Sequence, residues 1–175
     1  ESEDKSPLTF FPDPHKRPFQ NLLEQRELTT TFLAYIKVSE GCNRKCTYCI
    51  IPSLRGAQRS RPLDDICKEA EILVEKGVKE ILLTAENTTD YGQDFQDGKG
   101  FEHVLETLVK TFEKEASTTK PWIRFLYTHP KTLTESIIKT VKNHNTICSY
   151  YDVPIQHASS TILKKMGRPY TKEDL

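Results

Sequence analysis

The stretch SEGCNRKCTYCIIPSLRG, residues 39–56, sets three cysteines within eight positions, at Cys42, Cys46 and Cys49. Disulfide pairing leaves one thiol over, and bridges between such near neighbours are strained. A tetrahedral zinc ion takes four ligands, often as two C-x-x-C pairs, and no second pair follows. A cubane iron–sulfur cluster takes one cysteine sulfur on each iron, so three cysteines leave one iron open. The preceding residues decide the fold. TFLAYIKVS (31–39) is a β-branched and aromatic run that reads as a strand, which puts the cysteines in the loop at its carboxyl end.

Outward from that loop, strands and helices alternate. From Pro62, the residues Leu63, Ile66, Cys67, Ala70, Leu73 and Val74 recur at helical spacing. Pro62 suits the first helical position and Gly77 the residue just past the end. VKEILLTA (78–85) predicts a buried strand, and Phe101, Val104, Leu105, Leu108, Val109 and Phe112 a second helix. WIRFLYTH (122–129) predicts a third strand. Thr132 with Glu135 makes a capping-box signature for a third helix through Leu133, Ile137, Ile138 and Val141. ICSYYDVPIQ (147–156) predicts a fourth strand, and a short helix over Thr161–Met166 stops at Gly167. Thr171 with Asp174 opens one more helix shortly before Leu175, so a fragment of a larger barrel is expected. This order predicts an α/β fold of β/α units around a mainly parallel sheet, truncated after about four units. In such folds the chemistry gathers at the carboxyl ends of the strands. Those ends read SEGC, TAENTT, YTHP and DVPIQHAS, all polar. Residues 1–31, with Pro7, Pro12, Pro14 and Pro18, predict a linker or N-terminal arm whose Phe10, Phe11 and Phe19 dock on the body.

Composition narrows the function classes. The 175 residues are 36% hydrophobic and 29% charged, which suits one globular domain and argues against disorder. No apolar run reaches the length of a membrane span. Net charge is zero, so a strongly electrostatic nucleic-acid binder is not indicated. Five cysteines, three of them clustered, predict a reducing compartment and metal ligation, with no disulfides. The expectation is a cytoplasmic protein with no membrane partner.

The cysteine motif after a first strand, with Tyr48 before the third cysteine, resembles the radical S-adenosylmethionine (SAM) enzymes. Further stretches in the same order are similar to the methylthiotransferase branch: RSRPLDDI, GVKEILLTAENTTDYG, WIRFLYTHP and YYDVPIQHASSTILKKMGRPYT. The resemblance runs from about residue 32 to 175. It implies a partial (β/α) barrel of the radical SAM type, with 32–175 as the N-terminal part of the catalytic domain. It implies a [4Fe–4S] cluster on Cys42, Cys46 and Cys49 whose open iron is chelated by the amino and carboxylate groups of SAM. It also implies reductive cleavage of SAM, an electron donor, and a second [4Fe–4S] cluster in a domain absent from this chain as the source of the methylthio sulfur. YDVPIQHAS and ENTTDYG are closer to the RimO type, which modifies the β-carbon of an aspartate in a small-subunit ribosomal protein. The MiaB type, which modifies a tRNA adenosine, tends to carry a Leu-Pro-Val-Gln-Ser-Gly-Ser form at the fourth strand end. One departure is Glu86-Asn87, where relatives often have Gln-Asp or Gln-Asn. On its own, a chain cut at this point is expected to be inactive.

Residue roles follow, each beside a plainer reading. The resemblance makes Tyr48, Glu86, Asn87, Thr88, Gln156 and His157 cofactor-binding candidates and assigns no catalytic side chain. Tyr48 faces adenine or is an ordinary packed aromatic. Glu86 and Asn87, with Thr88 behind them, accept from the SAM ammonium or form a turn. Gln156 and His157 face the same mouth or are structural. Arg55, Arg59 and Arg61 contact substrate or, more simply, pair with Asp64, Asp65 and other acids. Cys67 and Cys148 read as core residues. Two alternatives compete with the aspartate methylthiotransferase: a tRNA methylthiotransferase, and a non-catalytic metal-binding or electron-transfer module. The latter needs a fourth protein ligand, and His15, Cys67 and Cys148 lie in other elements.

Overall fold

A computed structural model describes Asp13, Phe19, Leu28, Thr30 and residues 32–114 and 121–175. Most of the expected arm, including Phe10, Phe11 and His15, lies outside the described residues. Phe19 does meet the body: the Arg59 guanidinium lies 5.4 Å from its ring centroid. Leu28 packs against the core.

Three parallel strands form the main sheet: β1 (Leu33–Lys37), β4 (Glu80–Thr84) and β5 (Trp122–Phe125), in the order β1-β4-β5. Period-two alternation fixes which face is covered. Ala34, Ile36, Ile81, Leu83, Ile123 and Phe125 are buried, whereas Tyr35 and Trp122 on the opposite face are about half exposed. Against the buried face lie α2 (Leu63–Glu75), α3 (Phe101–Lys114) and α4 (Glu135–Asn143), each packed on its neighbour. Their apolar stripes supply Ile66, Ala70 and Leu73, then Val104, Leu105 and Leu108, then Ile137 and Val141. Phe101 and Phe125 meet edge to face at 5.2 Å. Helix α2 ends where Gly77 takes φ 90° and the Val78 N–H reaches back to the Leu73 carbonyl, as the sequence predicts.

Several expectations change in detail. Pro62 is the N-cap of α2 rather than its first helical residue. The cap of α4 is Thr134, whose hydroxyl accepts from the Ile137 N–H, and not Thr132. Thr132 is engaged elsewhere, 2.8 Å from the Thr89 hydroxyl. The predicted fourth strand makes one parallel bridge, Ile147 to Ile123, and then leaves the ladder. Beyond it Asp152 bonds the end of β5 irregularly, through its carboxylate to the Tyr127 N–H and its carbonyl to the Thr128 N–H, and Pro154 has no N–H to offer. The third strand likewise stops at Phe125, because Tyr127 turns into the left-handed region. The helix expected from Thr171 is a single 3-10 turn, Lys172–Asp174, closed by the Thr171–Asp174 capping box.

Two elements carry no sequence signal. The ribbon β2 (Ser39–Glu40) with β3 (Arg59–Ser60) and the one-turn α1 (Ile51–Arg55) bracket the cysteine loop. Helix α5 (Ser160–Lys165) follows the irregular segment and ends at Gly167.

Phe125 has no exposed surface at the centre of this core. Phe125→Ala is expected to destabilise the fold by about 3–5 kcal/mol, through lost burial and a residual cavity. Denaturant unfolding checks it; a loss under about 1 kcal/mol would mean the sheet–helix interface is not the core.

Candidate functional site

The carboxyl ends of β1, β4 and β5 open on one cleft of about 270 Å³, lined among others by Cys42, Cys46 and Cys49. The cysteine loop is closed by a backbone pinch at its base. Gly41 takes φ 80°, and a Cβ there would stand 2.3 Å from the Ala57 carbonyl oxygen, so only glycine fits. The Cys42 N–H then donates to the Gly56 carbonyl at 3.1 Å.

Three anchors hold the loop to the barrel. Gly41 N–H donates to the Glu86 carboxylate at 3.1 Å, and Lys37 donates to the same carboxylate at 3.2 Å. Arg44 grips Asp90 with two hydrogen bonds of 3.1 and 2.6 Å. At the far side, the Thr47 N–H donates to the Met166 carbonyl and its hydroxyl to the Lys165 carbonyl, at 3.1 and 3.0 Å. Gly167, at φ 69°, comes so close to Lys45 that a Cβ would meet its carbonyl oxygen at 2.6 Å. Arg168 completes the contact, its Nε–H donating to the Tyr48 hydroxyl at 3.0 Å.

Cys42, Cys46 and Cys49 all line the cleft. A multinuclear cluster takes such thiolates on separate irons. Burial pushes the Cys42 thiol above its ordinary pKa. A bound metal reverses that preference, because a coordinating thiol is held deprotonated. All five cysteines are free.

The remaining candidates divide. Tyr48, Glu86, Asn87 and Gln156 line the same cleft as the cysteines; Thr88 and His157 do not. Thr88 is fully buried, donating through its hydroxyl to the Leu126 carbonyl and through its N–H to the Tyr127 carbonyl. The His157 ring is exposed and accepts from the Ser159 N–H at 2.8 Å. Of the three arginines, Arg55 pairs with Glu40 and Arg61 with Glu69, the other acids of the plainer reading, and Arg61 also reaches the Asp65 carbonyl.

Cleft residues missed in the sequence are Arg44, Tyr127, Thr128, His129, Pro154 and Arg168. His129 sits inside YTHP, a strand end already marked as polar, which was the available signal. Two non-glycine residues in the left-handed region, Tyr127 at φ 60° and Gln156 at φ 67°, both line the cleft. Such conformations are held against strain of order 1–3 kcal/mol and gather at functional sites. Here the Asp152 carboxylate and the Thr88 N–H hold Tyr127 in place.

Comparison with known proteins bears on this site. The radical SAM superfamily model matches residues 36–175. Ribosomal protein uS12 methylthiotransferase RimO of Clostridioides difficile (strain 630) is 48% identical over 147 residues, covering 84% of this chain and 32% of that protein. RimO of Desulfosudis oleivorans is 43% identical over 164 residues, covering 94% and 36% respectively. The chain thus spans about a third of the length of these curated relatives. Among solved structures, the radical SAM methyltransferase TsrM of Kitasatospora setae, with tryptophan and aza-SAM bound, superposes with a TM-score of 0.62 at 20% identity, over 82% of this chain and 27% of that one. OxsB, a cobalamin-dependent SAM radical enzyme with aqua-cobalamin and SAM bound, gives 0.62 at 16% identity, over 80% and 20%. Likeness at this identity shows a shared fold.

The α5 end of the loop yields a prediction. Gly167→Ala places a methyl group against the Lys45 carbonyl in a left-handed conformation that costs about 1–2 kcal/mol for an L side chain. Hydrogen exchange at the Thr47 amide should accelerate about tenfold or more, with exchange at Leu83 in β4 unchanged. Unaltered Thr47 protection would show that α5 does not brace the loop.

Proposed function

The chain belongs to the radical SAM superfamily, and from that premise we propose that it is the cysteine-bearing part of a methylthiotransferase acting on the β-carbon of an aspartate in ribosomal protein uS12. The observation that carries this reading is the three-cysteine loop, braced at the carboxyl end of β1, in a sequence 43–48% identical to RimO proteins.

The residues present suit the cofactors that this reading needs. Cys42, Cys46 and Cys49 offer three soft thiolates without a fourth, which fits a [4Fe–4S] cluster with one open iron. The cleft beside them holds two buried nitrogens, on Asn87 and His129, that have no hydrogen-bond partner among the described residues, which suits a polar ligand such as SAM. When bound, cluster and SAM supply a one-electron reductive cleavage strong enough to remove hydrogen from an unactivated carbon.

The protein's own share is holding and shielding. The Gly41 pinch and the Thr47 contacts hold the three thiolates in fixed relation. Arg44, balanced and oriented by Asp90, ties the cysteine loop to the segment after β4. The Tyr48 ring, fixed by Arg168, forms one wall, and Glu86, Asn87 and Gln156 face the cleft from the strand ends. Thr88 and His157 support those ends from outside it. Asn87, Thr128 and His129, all buried, form part of the cleft wall and limit the water that reaches it. The methylthio sulfur is assigned to a second [4Fe–4S] cluster elsewhere in the full-length protein, with an external electron donor and a cytoplasmic site of action beside the ribosome.

Replacing any of Cys42, Cys46 or Cys49 by serine substitutes a hard, poorly acidic hydroxyl for a soft thiolate. Each variant of the full-length protein should lose most of its brown absorbance after anaerobic reconstitution, whereas Cys67→Ser and Cys148→Ser should keep it. Bleaching by either of the last two would remove the three-ligand assignment. The substrate is read by mass spectrometry of uS12 and tRNA from cells lacking the gene. The expected result is a uS12 aspartate without its methylthio group and unchanged tRNA; the reverse pattern would make this a tRNA methylthiotransferase.

A further inference from the structure

His129 is the cleft residue whose chemistry remains unused. It is 3% exposed and lines the same cleft as the cysteines. Its Nδ1 accepts from the Lys131 N–H at 3.1 Å, which leaves the proton of the neutral ring on Nε2. That Nε2 is buried and has no hydrogen-bond partner among the described residues. The ring cannot easily turn away, since it is packed edge to face on Tyr170 at 5.4 Å and its backbone N–H is tied to the Thr89 hydroxyl at 3.3 Å. A buried donor without an acceptor loses about 1–3 kcal/mol of solvation. An acceptor brought by a ligand in the cleft would satisfy it.

The charges around the cleft say which acceptor suits it. Glu86, the carboxylate expected to take the SAM ammonium, is already engaged by Lys37 and the Gly41 N–H. The Asn87 Oδ1 already accepts from the Thr89 hydroxyl, and its Nδ2 donor has no partner among the described residues. Arg44 is balanced by Asp90. Arg168 bonds the Tyr48 hydroxyl and, among the described residues, has no ion pair with a carboxylate. Among the described residues, the buried cleft nitrogens without an acceptor are Asn87 Nδ2 and His129 Nε2, and Arg168 beside them is a cation without a carboxylate partner. Burial, with smaller contributions from the charges of Arg44 and Arg168, also pushes the His129 pKa down to about 4, so the ring stays a neutral donor at physiological pH.

We propose that His129 binds the carboxylate at the amino-acid end of SAM, donating from Nε2 with Arg168 supplying the nearby positive charge. This rests on the radical SAM reading above and goes beyond it by assigning a ligand group to a residue outside the cysteine loop. It also reverses the expected polarity of this part of the cleft, which reads its ligand by donating.

A cycle of two changes, one in the protein and one in the ligand, tests it in the full-length protein with its cluster reconstituted. The protein change is His129→Phe, which keeps a ring against Tyr170 and removes the donor; His129→Gln restores an N–H. The ligand change replaces SAM by decarboxylated SAM, which keeps the nucleoside, the sulfonium and the amine and lacks only the carboxylate. Equilibrium dialysis should show SAM binding weakened about tenfold or more in His129→Phe, as for a lost hydrogen bond to an ionised group. Binding of decarboxylated SAM should be unchanged, and His129→Gln should recover most of the affinity for SAM. Equal weakening of both ligands, or no weakening of either, with iron content held at the wild-type level, overturns the assignment. A wild-type protein that holds its cluster and binds no SAM would instead overturn the radical SAM reading itself.

Discussion

Everything at the cleft depends on a backbone contact with no room for a side chain. At Gly41 the chain leaving β1 passes within a Cβ's reach of the Ala57 and Gly56 carbonyls returning from α1. That approach closes the cysteine loop at its base and brings the Gly41 N–H to Glu86 at the end of β4. The sheet fixes where β1 and β4 end relative to each other, through the register Lys37 to Thr84. The loop inherits that position. A larger residue at 41 would push the two arms apart and release all three cysteines together, because their anchors form one chain of contacts.

The opposite side of the loop is held by a segment distant in sequence. Thr47 bonds the carbonyls of Lys165 and Met166, and Gly167 nests against Lys45. Helix α5 has only one buried side chain, Leu163, so it contributes little to the core and much to the loop. A short helix of this kind gains its position from such contacts rather than from its own propensity. The KKMGRPY stretch therefore belongs to the site as much as the cysteines do.

What was legible in the sequence is what periodicity encodes. The alternation of β1, β4 and β5 with α2, α3 and α4 follows from apolar spacing, and the polar strand ends located the cleft. Local pattern rules failed where tertiary contacts override them. Thr132 fits the capping-box pattern, yet its hydroxyl is committed to Thr89, and Thr134 caps α4 without a matching acid at its third position. The 147–156 segment has strand composition, but hydrogen bonds from the β5 end to Asp152 and the proline at 154 break its ladder. Ribbon β2–β3 and helix α1 are too short to leave a period. His129 lay in YTHP, a strand end already marked as polar, but its role and that of Arg168 rest on what they lack among the described residues, an acceptor and a carboxylate partner, which only a three-dimensional arrangement shows.

The central claim is that three cysteines, and no fourth protein ligand, hold a cluster whose open iron meets SAM. The most direct test is the paramagnetic spectrum of the reduced, reconstituted full-length protein, recorded before and after SAM is added. A cluster with an exchangeable site is expected to shift its spectrum on SAM addition, in proportion to the SAM bound. A spectrum indifferent to saturating SAM would mean a fully ligated cluster and an electron-transfer or structural role, and would contradict the account.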